Sequence, residues 1–295
     1  MAAVVFFSLA LLFLAWLIGQ PWLLEQRRKR IRTRPFPAEW RDILKRRVPY
    51  VHLMPADLQL QLKAHIQVFL AEKAFIGCDG LDITDEIRVT IAAQACLLIL
   101  NRPSFYYPEL RQILVYPGSF VVQREHTDGA GIKHAGRQVL AGESWSNGQV
   151  VLSWHDTLQG AALPNDGNNV VIHEFAHQLD QEKGAANGAP LLARRAYYRR
   201  WSQVLNDEYR ALQARIRFRH EPVLYRGMAE VEAAAQAQEH APPEPLFSDY
   251  GATDPAEFFA VISEVFFERP ARMAQEHSAL YQELARFYRV DPLSW

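Results

Sequence analysis

The sequence predicts an α+β fold, and three observations carry that prediction. Short β-branched runs divided by glycine and other turn residues are bunched between residues 113 and 154. Segments with helical apolar periodicity lie on both sides of them. The chain has 295 residues, 49% of them apolar and 22% charged, which is enough to bury the core of a large folded domain. Because turn residues separate the β runs closely, the sheet is expected to be small and mostly antiparallel. The formal net charge is −1, so the molecule as a whole is no polyanion binder, and no direct nucleic-acid contact is expected. Cys78 and Cys96 are too few for a disulfide framework and form no C-x-x-C, which fits a reducing compartment.

The first element is apolar almost without break from Ala2 to Leu24. That is about the length needed to cross ~30 Å of hydrocarbon as a helix. Arg27, Arg28, Lys29, Arg30, Arg32 and Arg34 follow this stretch, and Glu25 is the one acid among the first 34 residues. A secretory signal, cut near Ala15 or Gly19, is the alternative, but it calls for positive charge before the apolar run. The positive-inside rule then gives a single-pass anchor over residues 1–26 in the inner (cytoplasmic) membrane. Residues 27–37 become a basic linker stiffened by Arg34-Pro35-Phe36-Pro37, and residues 38–295 a single domain facing the cytoplasm.

Within that domain, Leu58, Leu62, Ile66, Phe69 and Leu70 mark an amphipathic helix over Pro55–Phe75. Thr84 caps a second helix that runs to about Asn101, where Arg102-Pro103 stops it. Strands are expected at Ile113–Tyr116, Phe120–Gln123, Gln138–Leu140 and Gln149–Trp154. Asn168 or Asn169 caps a helix from Val170 to Lys183, with Gly184 beyond its end. Leu191–Phe218 is a long Arg-rich helix, and Met228–Gln238 adds a helical piece before the breaker Ala241-Pro242-Pro243-Glu244-Pro245. Asp254-Pro255 opens a helix that ends before Pro270, and Ala271–Tyr288 forms the last one.

The chemistry concentrates in His173-Glu174-Phe175-Ala176-His177, an H-E-x-x-H on the Val170–Lys183 helix. Positions i and i+4 share a helix face, so both imidazoles can reach one metal ion. Glu174 sits at the edge of that face, where it can hold a metal-bound water without ligating the metal. Two imidazoles suit Zn²⁺, which in catalytic sites takes a third protein ligand and keeps a fourth position open. Asp180 and Lys183 stand where a metzincin would have Gly and His, which excludes that class. The third ligand is then sought among Glu230, Glu232, Glu257 and Glu264. Glu257 also fits a plain capping role, three residues after the cap Asp254 with Pro255 between them. Glu264, two turns on, is a candidate hydrogen-bond acceptor behind a ligating histidine, and Asp180 is a candidate to orient a ligand or meet a basic group. His126 and His134 read as solvated loop histidines, while His155 follows the last strand. No Walker loop, G-x-G-x-x-G or G-x-S-x-G is present.

The strings HEFAHQLD and DYGATDPAEFFAVISEVFF, with VYPGSFVV, GESWSNGQVVLSW and FYRVDPL, resemble the Mlc titration factor A family, the glucose-regulated metallopeptidases. The likeness spans about residues 36–293. It implies a zincin-like metallopeptidase whose core is similar to that of anthrax lethal factor. Carried over position by position, it makes His173, His177 and Glu257 the zinc ligands and Glu174 the general base. It also makes Tyr250 a phenol facing the substrate, where spacing alone gives only a loop aromatic. Aminopeptidase-like activity on peptide or protein substrates is implied, and a transcriptional repressor is implied as partner, giving a membrane-tethered sequestering protein as the alternative function. The anchor and an insertion at about 219–247 depart from the family pattern.

Overall fold

Strands that are neighbours in the chain are not neighbours in the sheet. In the computed structural model, which describes residues 2–102, 106–127, 133–140, 142–145, 148–162, 165–220 and 245–295, strand β1 (Ala74–Gly77) pairs in parallel with β2 (Gln112–Tyr116). Strand β2 in turn pairs in parallel with β6 (Gln149–Ser153), with Ile113 facing Phe75 on one side and Val150 on the other. Strand β5 (Gly142–Trp145) closes the order β1-β2-β6-β5 as an antiparallel edge. Strands β3 (Phe120–Thr127) and β4 (Lys133–Leu140) form a separate antiparallel ribbon.

The expected mostly antiparallel sheet is therefore corrected: the main sheet is a three-stranded parallel unit with one antiparallel edge strand. Strand β3 pairs with β4 and not with its chain neighbour β2, which pairs instead with β6. The chain runs from β1 to β2 through helix α4 (Asp85–Leu97), the kind of crossover that parallel pairing requires. Strand β1 escapes the periodicity reading because it follows helix α3 (Ala56–Glu72) directly and Phe75 extends that helix's apolar pattern.

The N-terminal expectation is overturned as well. Helix α1 runs from Ala2 to Arg32 with Pro21 inside it. Among the described residues, no helix is long and apolar enough to cross a membrane. The single-pass anchor and the inner-membrane location built on it fall with that finding. Two residues of the basic cluster, Arg28 and Arg32, are engaged in the fold. Arg28 is buried, donates to both carboxylate oxygens of Glu72 on α3 at 2.8 Å each, and lies over the Tyr106 ring. Ile31 belongs to the core, and Arg32 pairs with Glu25 two turns back on the same helix face. The next segment is held too, since Gln67 donates to the carbonyls of Arg34 and Pro35, and Phe36 packs edge-on against Trp40 of α2 (Ala38–Arg47).

Helices α3 and α4 carry much of the core, with Leu62, Ile66, Phe69, Ile91 and Cys96 fully buried. Thr84 caps α4 as expected, its hydroxyl accepting from the Ile87 amide. Helix α5 (Trp154–Ala162) follows β6 immediately, and α6 (Val170–Asp180) continues into a 3-10 turn over Gln181–Lys183. Phe175 on α6 packs against Phe69 and Tyr107, which seats the metal-motif helix on the core. Helix α7 spans Arg195–His220 and α8 spans Pro255–Glu268. The expected last helix is two, α9 (Pro270–Glu276) and α10 (Ser278–Tyr288), broken at His277, whose Nδ1 meets Glu208 at 2.8 Å. Met228–Gln238, Glu230, Glu232 and most of the expected insertion lie outside the described residues.

Candidate metal centre

The centre is built where α6 and α8 pack against each other. Asn169 caps α6, its side-chain oxygen accepting from the Ile172 amide at 3.0 Å. The same residue donates its side-chain amide to Gly160 of α5 and to Glu268 of α8, while its backbone N–H donates to Glu264. One capping residue thus ties three helices together. Asp254 caps α8 by accepting from the Ala256 and Glu257 amides at 2.8 and 3.0 Å, with Pro255 pre-set at the first helical position. Since Asp254 does the capping, the Glu257 side chain is left to face α6.

It faces the two histidines. Glu257 Oε2 lies 3.0 Å from His173 Nε2 and 3.3 Å from His177 Nε2. The three candidate donor atoms all fall within 4.8 Å of one another. Zinc bonds of ~2.0–2.2 Å to nitrogen and carboxylate oxygen put the edge of a coordination tetrahedron at about 3.3 Å. The donor set and its spacing therefore fit a divalent cation such as zinc. On the far side of the His173 ring, Nδ1 meets Glu264 Oε1 at 2.7 Å, a carboxylate behind an imidazole of the kind that fixes tautomer and orientation at metal sites. Glu264 is anchored in its turn by the Asn169 amide.

Electrostatics agrees with the geometry. Burial works to raise the Glu257 carboxyl, but hydrogen bonds from His173 and His177 outweigh it and hold the group far below the usual carboxylate range. Burial works to lower the His173 ring, yet the Glu264 charge and its bonds to Glu257 and Glu264 push it well above 6.5. Glu174 behaves differently. It is 5% exposed, and burial pushes its carboxyl up to about 7 against the pull of the two histidines. A carboxyl poised there is suited to accept and return a proton near neutrality.

Residues not singled out in the sequence complete the setting. Gly142 opens edge strand β5 against Glu174: a Cβ there would meet Glu174 Oε1 at 2.6 Å and Val170 at 2.5 Å. Gln178 of α6 donates to Ser144 Oγ at 2.7 Å and holds the strand to the helix. Strand β6 is interior to the sheet, and β5 takes the edge position beside the cleft. Ser248 caps the short turn Asp249–Ala252, and that turn sets the Tyr250 ring 5.8 Å from the His173 ring, half exposed and lining the cleft. The glycine that begins GESWSNGQ was the available signal for Gly142.

Asp180 does not hydrogen-bond either imidazole. Its Oδ2 accepts from the amides of Asn187 and Gly188 at 2.7 and 2.6 Å. Gly188 in turn abuts Pro255, and its carbonyl accepts from the Trp201 indole. Asp180 thereby braces the loop under the start of α8. His155 stands exposed on α5, bonded to Gln159, and lines neither face of the cleft. His126 and His134 fall on facing positions of the β3–β4 ribbon rather than on a loop.

A family model described as glucose-regulated metallo-peptidase M90 matches residues 23–289. An uncharacterized protein of Synechocystis sp. is 40% identical over 282 residues, covering 95% of this chain and 94% of that protein. The Mlc titration factor A of Serratia proteamaculans is 33% identical over 87% of this chain and 88% of its own length. The protein of the same name from Yersinia pestis (strain Pestoides F) is 31% identical, over 87% and 86%.

Proposed function

The chain belongs to the glucose-regulated metallopeptidase family M90, and from that premise we propose that it is a zinc-dependent peptidase in which His173, His177 and Glu257 hold the metal and Glu174 is the general base. The observation that carries this reading is the convergence of His173 Nε2, His177 Nε2 and Glu257 Oε2 beside a buried carboxyl at Glu174. Bound zinc supplies Lewis-acid polarisation of the scissile carbonyl and an acidified water.

Glu174, buried beside both histidines, takes the proton of the attacking water and returns it to the leaving amine. Glu264 holds the His173 ring through Nδ1 so that Nε2 points at the centre. Tyr250 donates a hydrogen bond to the carbonyl oxygen as it gains negative charge, a contact of a kind worth ~2.7–4 kcal/mol where such a donor has been removed. The fit to small peptides, with aminopeptidase-like cleavage, rests on the family resemblance.

The test is metal analysis of the purified protein paired with a peptide-library digest. One zinc equivalent is expected in the wild type and in Glu174→Gln, and far less in His177→Ala. Turnover by Glu174→Gln should fall ~10²–10⁴-fold, the usual contribution of a general base. Activity within a few fold of wild type would remove Glu174 from that role.

The name borne by two of the relatives, Mlc titration factor A, supports a second reading, that this chain binds a regulatory protein; that the partner is a transcriptional repressor rests on the family resemblance. Glu174→Gln separates the two, since a sequestering surface keeps its partner when the base is lost.

A further inference from the structure

A second cavity lies apart from the metal-facing cleft. It holds about 260 Å³ between the turn that follows α6, the chain leading into α7, the α10 helix and Arg102. Leu192, Trp201 and Phe287 line it, each of them buried. Arg102 lines it too, with its side chain only 9% exposed and its guanidinium 4.0 Å over the centre of the Phe287 ring. That guanidinium is poorly neutralised. Glu182 Oε2 is 3.9 Å from Nη2, beyond hydrogen-bond reach, and Nη1 is buried with no hydrogen-bond partner among the described residues. Glu283, the other acid on the wall, is taken by Arg200 and Arg286 at 2.7 Å each. Arg286 and Arg289 add two further cations to the lining. Burial lowers Arg102 and raises Glu182 from their ordinary values, as expected of two charges too far apart to satisfy each other.

We propose that this cavity binds a small organic carboxylate, which pairs with Arg102 while its apolar body lies against Leu192, Trp201 and Phe287. A guanidinium stacked on a ring presents its N–H groups in the plane, and a carboxylate matches that fork. A bare inorganic anion would leave the apolar wall uncovered, and a neutral ligand would leave the Arg102 charge without a counter-charge. Gln181 lines the metal-facing cleft and Glu182, the next residue, lines this cavity, so an occupant bears on the turn that ends α6. The inference stands independently of the peptidase reading.

Calorimetric titration of the full chain with 3-phenylpropionate, its amide, and N-acetylphenylalanine tests it. The free acid should bind, and the amide at least about tenfold more weakly, as for a hydrogen bond to a charged group. Arg102→Met should weaken the acid by a similar factor. Glu182→Gln, which removes a competing carboxylate, should tighten it several fold. Preference for 3-phenylpropionate identifies a free small acid as ligand, and preference for N-acetylphenylalanine identifies a chain terminus. The proposal fails if no acid binds, if acid and amide bind alike, or if Glu182→Gln leaves affinity unchanged. It fails equally if Glu257→Gln abolishes binding while Arg102→Met preserves it, since the acid then sits in the metal cleft. Should Arg102→Met not fold, the Glu182→Gln result decides.

Discussion

Two glutamates on one helix, Glu257 and Glu264, meet the same histidine from opposite sides of its ring, and their substitution by glutamine should have different consequences. Glu257 Oε2 faces Nε2 of both histidines, whereas Glu264 Oε1 faces Nδ1 of His173 and its other oxygen accepts the Asn169 amide. Glu257→Gln removes the negative charge a zinc ligand supplies but leaves the cap, which Asp254 provides. In chelator, its Tm should stay close to wild type, well inside the ~1 kcal/mol typical of a lost cap, while zinc affinity and turnover collapse. Glu264→Gln should cost ~10–100-fold in zinc affinity or turnover, the usual loss on removing a group that orients a ligand. Measured zinc dissociation constants settle the order. If Glu264→Gln is the more damaging, the ligand lies two turns later than assigned.

At the scale of elements, the site depends on how the start of α8 is held against α6. Gly188 adopts φ +75°, and a Cβ on it would lie 2.4 Å from the Pro255 carbonyl oxygen. Its amide is bound by Asp180 at the end of α6 and its carbonyl by Trp201 of α7. Three helices converge on a position that only glycine fits without displacement. Gly188→Ala should therefore lower stability by more than ~2 kcal/mol, combining about 1–2 kcal/mol for a left-handed backbone with the shift of Pro255. Because that shift moves the helix carrying Glu257, zinc affinity should fall in the same variant. A Tm within a degree of wild type in thermal unfolding would show that the loop yields freely and that Asp180 braces nothing.

For the molecule as a whole, the docking of α1 has a signature in acid. His65 on α3 is buried, contacts the Tyr106 hydroxyl at 2.7 Å, and has its pKa pushed down to about 4 by burial and by the nearby Arg32 charge. The unfolded chain titrates this group near 6.5, so between pH 6.5 and 4 the unfolded state binds the extra proton. Stability from this site is complete above about pH 6.5 and is lost as pH falls through 4, by up to ~3 kcal/mol at 1.36 kcal/mol per pKa unit. Urea unfolding across that range should show a steeper acid loss in wild type than in His65→Gln. Equal slopes would mean that His65 takes up its proton without strain in the folded protein.

The two histidines of the candidate site were legible in short-range pattern because they lie on a single helix. Spacing alone put His173 and His177 on one face of α6, and cap candidates at Asn168 or Asn169 and at Asp254 placed the starts of both site helices, with Asn169 proving the cap of α6. The choice of Glu257 over its rivals needed the family resemblance, since at three residues past a cap a glutamate has an ordinary local use. Strand existence was likewise readable in β-branched runs, but partner choice was not. Pairing of β2 with β6 joins residues 37 positions apart, and nothing local distinguishes that from a hairpin. The fate of the N-terminal basic cluster was hidden for the same reason: Arg28 finds Glu72 across 44 residues, a contact that composition and charge order cannot express. Asp180 and Gly188, eight residues apart, become a brace only once α8 lies beside them. Local sequence fixes helix faces and their ends because those interactions span three or four residues. Sheet order, helix docking and the meeting of His173, His177 and Glu257 from two helices depend on contacts whose partners are chosen by packing of the whole core.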